Sequence, residues 1–150
     1  MAINRASVSH QLFIAGTIQQ EQYGMAMKHF IQMNGLHVHW CGWKKDMMEF
    51  YRLMRYSLNT SLCESQCCAV MEAMATGCKP LVYAWPGADE IYPEWALWKN
   101  DDSMMNIVRE SYKPKMYRAW IENNYSLQLQ SERTTKMLLS GETIEWTSPK

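Results

Sequence analysis

The chain has 150 residues, 47% of them hydrophobic and 20% charged, and its fifteen Lys and Arg balance its fifteen Asp and Glu. That composition describes one ordinary globular domain with enough apolar material for a core. It excludes two partner classes: no basic stripe serves a nucleic-acid backbone, and no apolar run reaches the roughly 18 to 20 residues of a membrane helix.

The N-terminal stretch MAINRASVSHQLFIAG contains no signal-peptide run, so the expected location is cytoplasmic, either free or peripheral at the membrane. The five cysteines (Cys41, Cys63, Cys67, Cys68, Cys78) are odd in number and read as reduced thiols.

In chain order, Gln11–Gly16 is a short apolar run ending in glycine and predicts a buried strand. Gln19–Met33 carries Tyr23, Met27, Phe30 and Ile31 at helical spacing, and Asn34-Gly35 stops that helix. Leu36–Cys41 alternates apolar and polar residues as a strand does, and Gly42 follows it. Lys45–Arg55 places Met47, Phe50, Tyr51 and Met54 on one helical face, and Tyr56–Ser61 is a weaker strand. Glu64–Thr76 is the clearest helix, with Val70, Met71, Ala73 and Met74 buried and Gly77 as its stop. Pro80–Trp85 is a strong strand running into the turn Pro86-Gly87.

Ile91–Trp98 is aromatic and irregular. Asp101-Asp102-Ser103 resembles a cap for a helix reaching Ser111, Pro114 opens the next helix, and Asn124 to about Leu139 forms the last. Strand and helix alternating about every 20 to 25 residues predict an α/β fold, a Rossmann-like parallel sheet with helices on both faces. The expected organisation is an extension over 1–10, a domain over 11–140 and a loose tail over 141–150.

Chemistry concentrates between Ser61 and Pro93. Glu64 stands at a strand-to-helix junction, and Glu72 lies about two turns inside the helix. In a doubly wound sheet, ligands bind outside the carboxyl ends of the strands. The backbone N–H groups of Ser65, Gln66, Cys67 and Cys68, with the helix dipole behind them, suit a phosphate or diphosphate there. A carboxylate beside that turn suits sugar hydroxyls, and one deeper on the helix suits both hydroxyls of a ribose.

This stretch resembles the nucleotide-sugar-binding motif of retaining family 4 glycosyltransferases (glycosyltransferase group 1): a Glu, seven residues, then Glu-Ala-Met-Ala-x-Gly-x-Pro. Here it reads Glu64, SQCCAVM, Glu72-Ala73-Met74-Ala75-Thr76-Gly77-Cys78-Lys79-Pro80, and continues through Pro86-Gly87-Ala88-Asp89-Glu90-Ile91-Tyr92-Pro93 and backward through LFIAG and VHWCGWKKDM. The resemblance covers roughly residues 11–130 and implies the C-terminal, donor-binding domain of a two-Rossmann-domain (GT-B) enzyme. It implies Glu64 as the catalytic-centre carboxylate at the donor sugar and Glu72 on the ribose. It implies Ser65, Gln66, Cys67 and Cys68 at the diphosphate and Gly42 and Trp43 near the base. Glu90 matches a glutamate common in the family after the next strand, without a definite role. The implied donor is a nucleoside-diphosphate sugar such as a UDP- or GDP-sugar, with no cofactor and no bound metal.

The chain departs from that pattern twice. After the first glutamate the family carries Gly-Phe-Gly or similar, whereas here stand Ser65-Gln66-Cys67, whose side chains crowd a close approach of backbone to ligand. The family's C-terminal domain also begins with one more strand and helix, and an acceptor-binding N-terminal domain precedes it. The fold is therefore expected to lack its first strand and helix. In the strand order 3-2-1-4-5-6 the missing strand is central, and its loss would expose two rows of backbone groups. A fragment, a split-gene half, or a chain completed by another chain are the readings this leaves. The isolated chain is expected to be inactive without the acceptor domain. The alternative is a non-catalytic remnant acting as a binding or interaction module.

Other residues have plainer explanations. Cys63, Cys67 and Cys68 lack a second ligand pair and read as small buried hydrophobes. His37 and His39 share one strand face, which a covering helix explains as well as a metal does. Trp85, Trp95 and Trp98 read as core or interdomain contacts before sugar platforms.

Overall fold

The computed structural model describes residues 10–141. The expectations for Met1–Ser9 and for the tail past Gly141 fall outside the described residues. The chain divides into two units, one ending at Met47 and the other starting at Met48.

The first unit is a strand–helix–strand: β1 (Leu12–Ala15), α1 (Glu21–Met33) and β2 (Val38–Gly42). β1 and β2 pair in parallel, Leu12 opposite Val38 and Ile14 opposite Trp40, with an irregularity before Ala15 meets Gly42. Gly24 is the residue that α1 buries. A Cβ there would come within 2.5 Å of the Ile18 side chain, so glycine makes room for it. The expected stop at Asn34-Gly35 forms: Gly35 is left-handed (φ +58°), its N–H donates to Gln32 O and the Leu36 N–H donates to Ile31 O. His39 is exposed and stacks on Phe13 with ring centroids 4.6 Å apart, and its Nε2 lies 3.0 Å from Gln11 Oε1.

The second unit holds α2 (Met47–Arg52, whose first residue precedes the division), β3 (Tyr56–Asn59), α3 (Cys68–Thr76), β4 (Lys79–Tyr83), β5 (Leu97–Trp98), α4 (Asp101–Arg109), α5 (Pro114–Tyr125) and α6 (Leu127–Ser140). Its sheet has the order β3-β4-β5, all parallel. β4 is central and buries Lys79 through Val82, the near-continuous burial expected of a parallel strand covered on both faces. Pro80 is tolerated there because β5 pairs only with Val82 and Tyr83, so the missing N–H removes no bond on that side. β5 was hidden in the aromatic stretch because two residues are too few to show an alternation.

The core forms where α3 meets β4 and the segment after it. Val70, Met71, Met74, Val82, Trp85, Ala88 and Tyr92 pack together, with Trp95, Trp120, Ile121 and Tyr125 against them. Each fully buried aliphatic side chain here contributes about 1.5 to 3 kcal/mol. Val70, Met71, Ala73 and Met74 are the buried face of α3, as the helical spacing predicts. Gly77 ends the helix at φ +100°, and Arg118 of α5 caps it by donating to Ala75 O (3.0 Å) and Thr76 O (3.2 Å).

Several boundaries differ from expectation. The helix expected from Glu64 starts only at Cys68, which leaves Glu64 in the loop after β3. The cap of α4 is Asn100, one residue earlier: its side chain accepts from the Ser103 N–H at 2.9 Å and its own N–H donates to Ser103 Oγ at 3.0 Å, which leaves Asp101 and Asp102 in the first turn. The last helix begins at Leu127, because Ser126 is extended (ψ 148°) and its Oγ caps the new start. The cysteines are also more open than expected: Cys63 and Cys68 are exposed and Cys67 half-buried, because the buried stripe of α3 starts only at Val70.

Candidate functional site

β3 and β4 are parallel, so their carboxyl ends leave the sheet at the same edge, where an α/β sheet takes its ligands. Asn59 is the last residue of β3 and is only 6% exposed. A buried amide left unbonded costs about 1 to 3 kcal/mol, and this one is satisfied entirely by the loop that follows. Its Oδ1 accepts from the Ser61 N–H at 3.2 Å, and its Nδ2 donates to Ser61 Oγ at 3.4 Å and Cys67 Sγ at 3.1 Å. The Ser61 hydroxyl then donates to Glu64 Oε1 at 2.9 Å. The Glu64 carboxylate is thus tied to the strand end through two side chains.

Cys67 caps the N-terminus of α3 in a left-handed conformation, φ +51° and ψ 65°, and among the described residues no other non-glycine has a positive φ. Such a backbone costs an L-residue about 1 to 2 kcal/mol. It stands where the family pattern quoted above has the second glycine of Gly-Phe-Gly. Neighbours hold it in place: the Tyr92 hydroxyl donates to Gln66 O (2.8 Å) and Cys67 O (3.0 Å), Asn59 holds the thiol, and the side chain packs on the core. Among the described residues no backbone carbonyl accepts from the N–H groups of Cys68 and Ala69, as a helix start leaves them.

Glu64 and Glu72 are both exposed, and each lies near a buried tyrosine. Burial pushes the Tyr92 phenol up, and the Glu64 carboxylate is among the neighbours that add to this. Burial likewise pushes Tyr51 of α2 up to about 12, and the nearby Glu72 carboxylate adds to this. Cys67 is a neighbour of both tyrosines.

Ser65 and Cys68 are exposed; Gln66 is half-buried with its Nε2 3.4 Å from Met71 Sδ. Glu90 is exposed at the end of the single turn Ala88–Glu90, which opens after left-handed Gly87 (φ +90°) beyond β4. Gly42 and Trp43 belong to the first unit: Gly42 is left-handed (φ +63°) at the end of β2, with open space where a Cβ would stand, and Trp43 is 79% exposed. Among the described residues no three His, Cys, Asp or Glu side chains gather as a metal site, and no helix is long and apolar enough to cross a membrane.

The second unit thus carries two acceptor carboxylates flanking a helix start with unspent amide donors, an arrangement able to hold an oxyanion and sugar hydroxyls together. The family model described as "Glycosyl transferases group 1" matches residues 2–106. The chain belongs to the group 1 glycosyltransferases. Its fold agrees with this family. The crystal structure of the catalytic domain of cholesterol-alpha-glucosyltransferase from Helicobacter pylori superposes with a TM-score of 0.53 at 15% identity, covering 93% of this chain and 83% of that one. No curated protein matches this group 1 chain.

The family motif leads to Glu64, Glu72 and the turn between them. It misses the side chains that brace them. Asn59 could have been noticed as a polar residue ending a strand. Tyr51 enters the sequence reading only as one more residue on an apolar helical face, and Tyr92 only as part of the stretch through which the resemblance runs.

Proposed function

We propose that this chain is the donor-binding half of a retaining glycosyltransferase that moves a glycosyl unit from a nucleoside-diphosphate sugar to a glycan or lipid-linked acceptor. The observation that carries this reading is the left-handed turn at Cys67, which opens α3 between Glu64 and Glu72. The diphosphate lies against the turn from Ser65 to Cys68, where amide donors and the helix dipole offset its charge. Glu72 accepts from the ribose hydroxyls, and Glu64, oriented by Ser61, accepts from hydroxyls of the donor sugar. Glu90 stands in the turn that follows the neighbouring strand, β4.

During transfer the bond from the anomeric carbon to the diphosphate oxygen breaks, and the nucleoside diphosphate leaves with that electron pair. The acceptor oxygen bonds to the same face of the sugar, and its proton passes to the departing diphosphate. Negative charge grows on the diphosphate as the bond breaks, so donors already fixed at the helix start stabilise the transition state more than the ground state. The acceptor side of the site comes from an N-terminal domain or from another chain.

Calorimetric titration of the protein with UDP-, GDP- and ADP-glucose tests this. Saturable binding of one of them, lost in Glu72→Ala, is the expected result. No binding of any, together with stable self-association, would instead support an interaction module.

A further inference from the structure

The function proposed above needs amide donors that already point outward when the diphosphate arrives, because donors fixed in advance cost no reorganisation. A loop entering a helix does not guarantee this. The peptide between Gln66 and Cys67 lies outside every helix and strand. The next peptide is tied to α3 through the Val70 N–H, 3.0 Å from Cys67 O.

Tyr92 supplies the missing restraint. It follows the single turn Ala88–Glu90 and is 1% exposed. Its own N–H donates to Ala88 O at 2.8 Å, and its ring meets Trp85 edge-on with centroids 5.9 Å apart. From this fixed ring the hydroxyl reaches Gln66 O at 2.8 Å and Cys67 O at 3.0 Å. One proton is thus shared between the carbonyls of two successive peptides. Both peptides are trans, and a trans peptide points its N–H opposite to its C=O. With both carbonyls drawn to one buried hydroxyl, the N–H groups of Cys67 and Cys68 turn away from it. Among the described residues neither meets a backbone carbonyl. Cys67 is left-handed and Cys68 begins a right-handed helix, and successive N–H groups in such a turn form a concavity that suits an anion. A carbonyl that accepts a hydrogen bond also polarises its own peptide, which makes the N–H a stronger donor.

We infer that Tyr92 is a positioning residue for the diphosphate: its hydroxyl holds the Gln66 and Cys67 carbonyls and so presents the Cys67 and Cys68 amides to phosphate oxygens. This rests on the donor-binding reading. It goes further by dividing the affinity of that site. Tyr92 governs the share that comes from the diphosphate and not the share that comes from the nucleoside, and it does so without touching either.

The test uses the whole chain, with UDP in calorimetry and uridine in competition against it, or GDP and guanosine should GDP bind better. Tyr92→Phe keeps the ring beside Trp85 and removes the hydroxyl. It is expected to weaken UDP about tenfold, the scale of a hydrogen bond to a charged group, and to leave uridine as in the wild type. A purely structural tyrosine would weaken both probes alike and leave their ratio unchanged, which would overturn the inference while the donor site stands. A wild type that binds none of UDP, GDP and ADP defeats the donor reading itself, and the inference with it. A second measurement needs no variant: magnetic resonance of the wild type titrated with UDP. The Cys67 and Cys68 amides and the hydroxyl-bearing ring carbon of Tyr92 are expected to shift together, with one saturation curve. Bound UDP that leaves either the amides or the Tyr92 carbon unmoved would overturn the inference.

Discussion

The side-chain amide of Asn59 crosses the loop after β3 to reach the thiol of Cys67 at 3.1 Å. This one contact joins the end of a strand to the cap of the next helix, and it holds in place the one non-glycine among the described residues with a positive φ.

Replacing Ser61 by alanine removes the hydroxyl that donates to Glu64 at 2.9 Å. The carboxylate is solvent-exposed, so the protein's stability is expected to change by less than about 1 kcal/mol. Binding of UDP-glucose should weaken several-fold while binding of free UDP is unchanged, because only the former presents a sugar to Glu64. Equal weakening of both in calorimetry would detach Ser61 from the sugar.

Cys67→Gly relieves a left-handed backbone that costs about 1 to 2 kcal/mol but deletes the thiol held by Asn59. The two effects oppose each other, so urea unfolding is expected to place this variant within about 1 kcal/mol of wild type. Cys67→Val, β-branched at positive φ, should be destabilised by roughly 2 kcal/mol or more. With the side chain gone, Cys67→Gly should also bind UDP more tightly than wild type. Weaker binding would show that the thiol assists the ligand and does not crowd it.

Buried tyrosines set the alkaline limit. Tyr51 rises from an ordinary 10.0 to about 12, and Tyr92 is raised too, chiefly by burial. An acid whose folded pKa lies above its unfolded one stabilises the fold fully below the unfolded value and loses that contribution as pH climbs through the folded one. Stability should therefore hold to about pH 10 and decline above it as these tyrosines ionise. Lys79 acts in the opposite direction, since burial lowers its pKa and the cost of keeping it charged disappears as it deprotonates. Denaturation midpoints that rise steadily from pH 9 to pH 12 would show that Lys79, not the tyrosines, dominates.

Lys79 is 1% exposed, and its Nζ donates to the carbonyls of Ile107 and Glu110 at the end of α4. Lys79→Met fills the same space but leaves those carbonyls without their donor. A loss of about 1 to 3 kcal/mol is expected by chemical denaturation, with α4 exchanging its amide hydrogens faster than α3. Unchanged stability would mean that water replaces the ammonium.

Gly77→Ala meets two obstacles together, a backbone at φ +100° and a new Cβ only 3.0 Å from Pro114 Cβ. It should lower stability by about 1 kcal/mol or more and loosen α5 against α3. A thermal midpoint equal to that of wild type would show that α5 shifts freely.

The elements that local chemistry controls were legible in the amino-acid order. The Asn34-Gly35 and Gly77 stops, Pro114 at a helix start and the buried face Val70, Met71, Ala73 and Met74 need only neighbours within a turn or two to declare themselves. The spacing of Glu64 and Glu72, with Glu-Ala-Met-Ala-x-Gly, was likewise enough to indicate the family. What the order of residues could not disclose was which distant side chains meet. Cys78 reaches the Tyr51 carbonyl across 27 positions and Tyr92 reaches Gln66 across 26, and pairings of that separation leave no periodic trace because packing of whole elements creates them. The left-handed turn at Cys67 belongs with these. A cysteine does not ask for that conformation, and only Asn59, Tyr92 and the core, brought together by folding, hold it there.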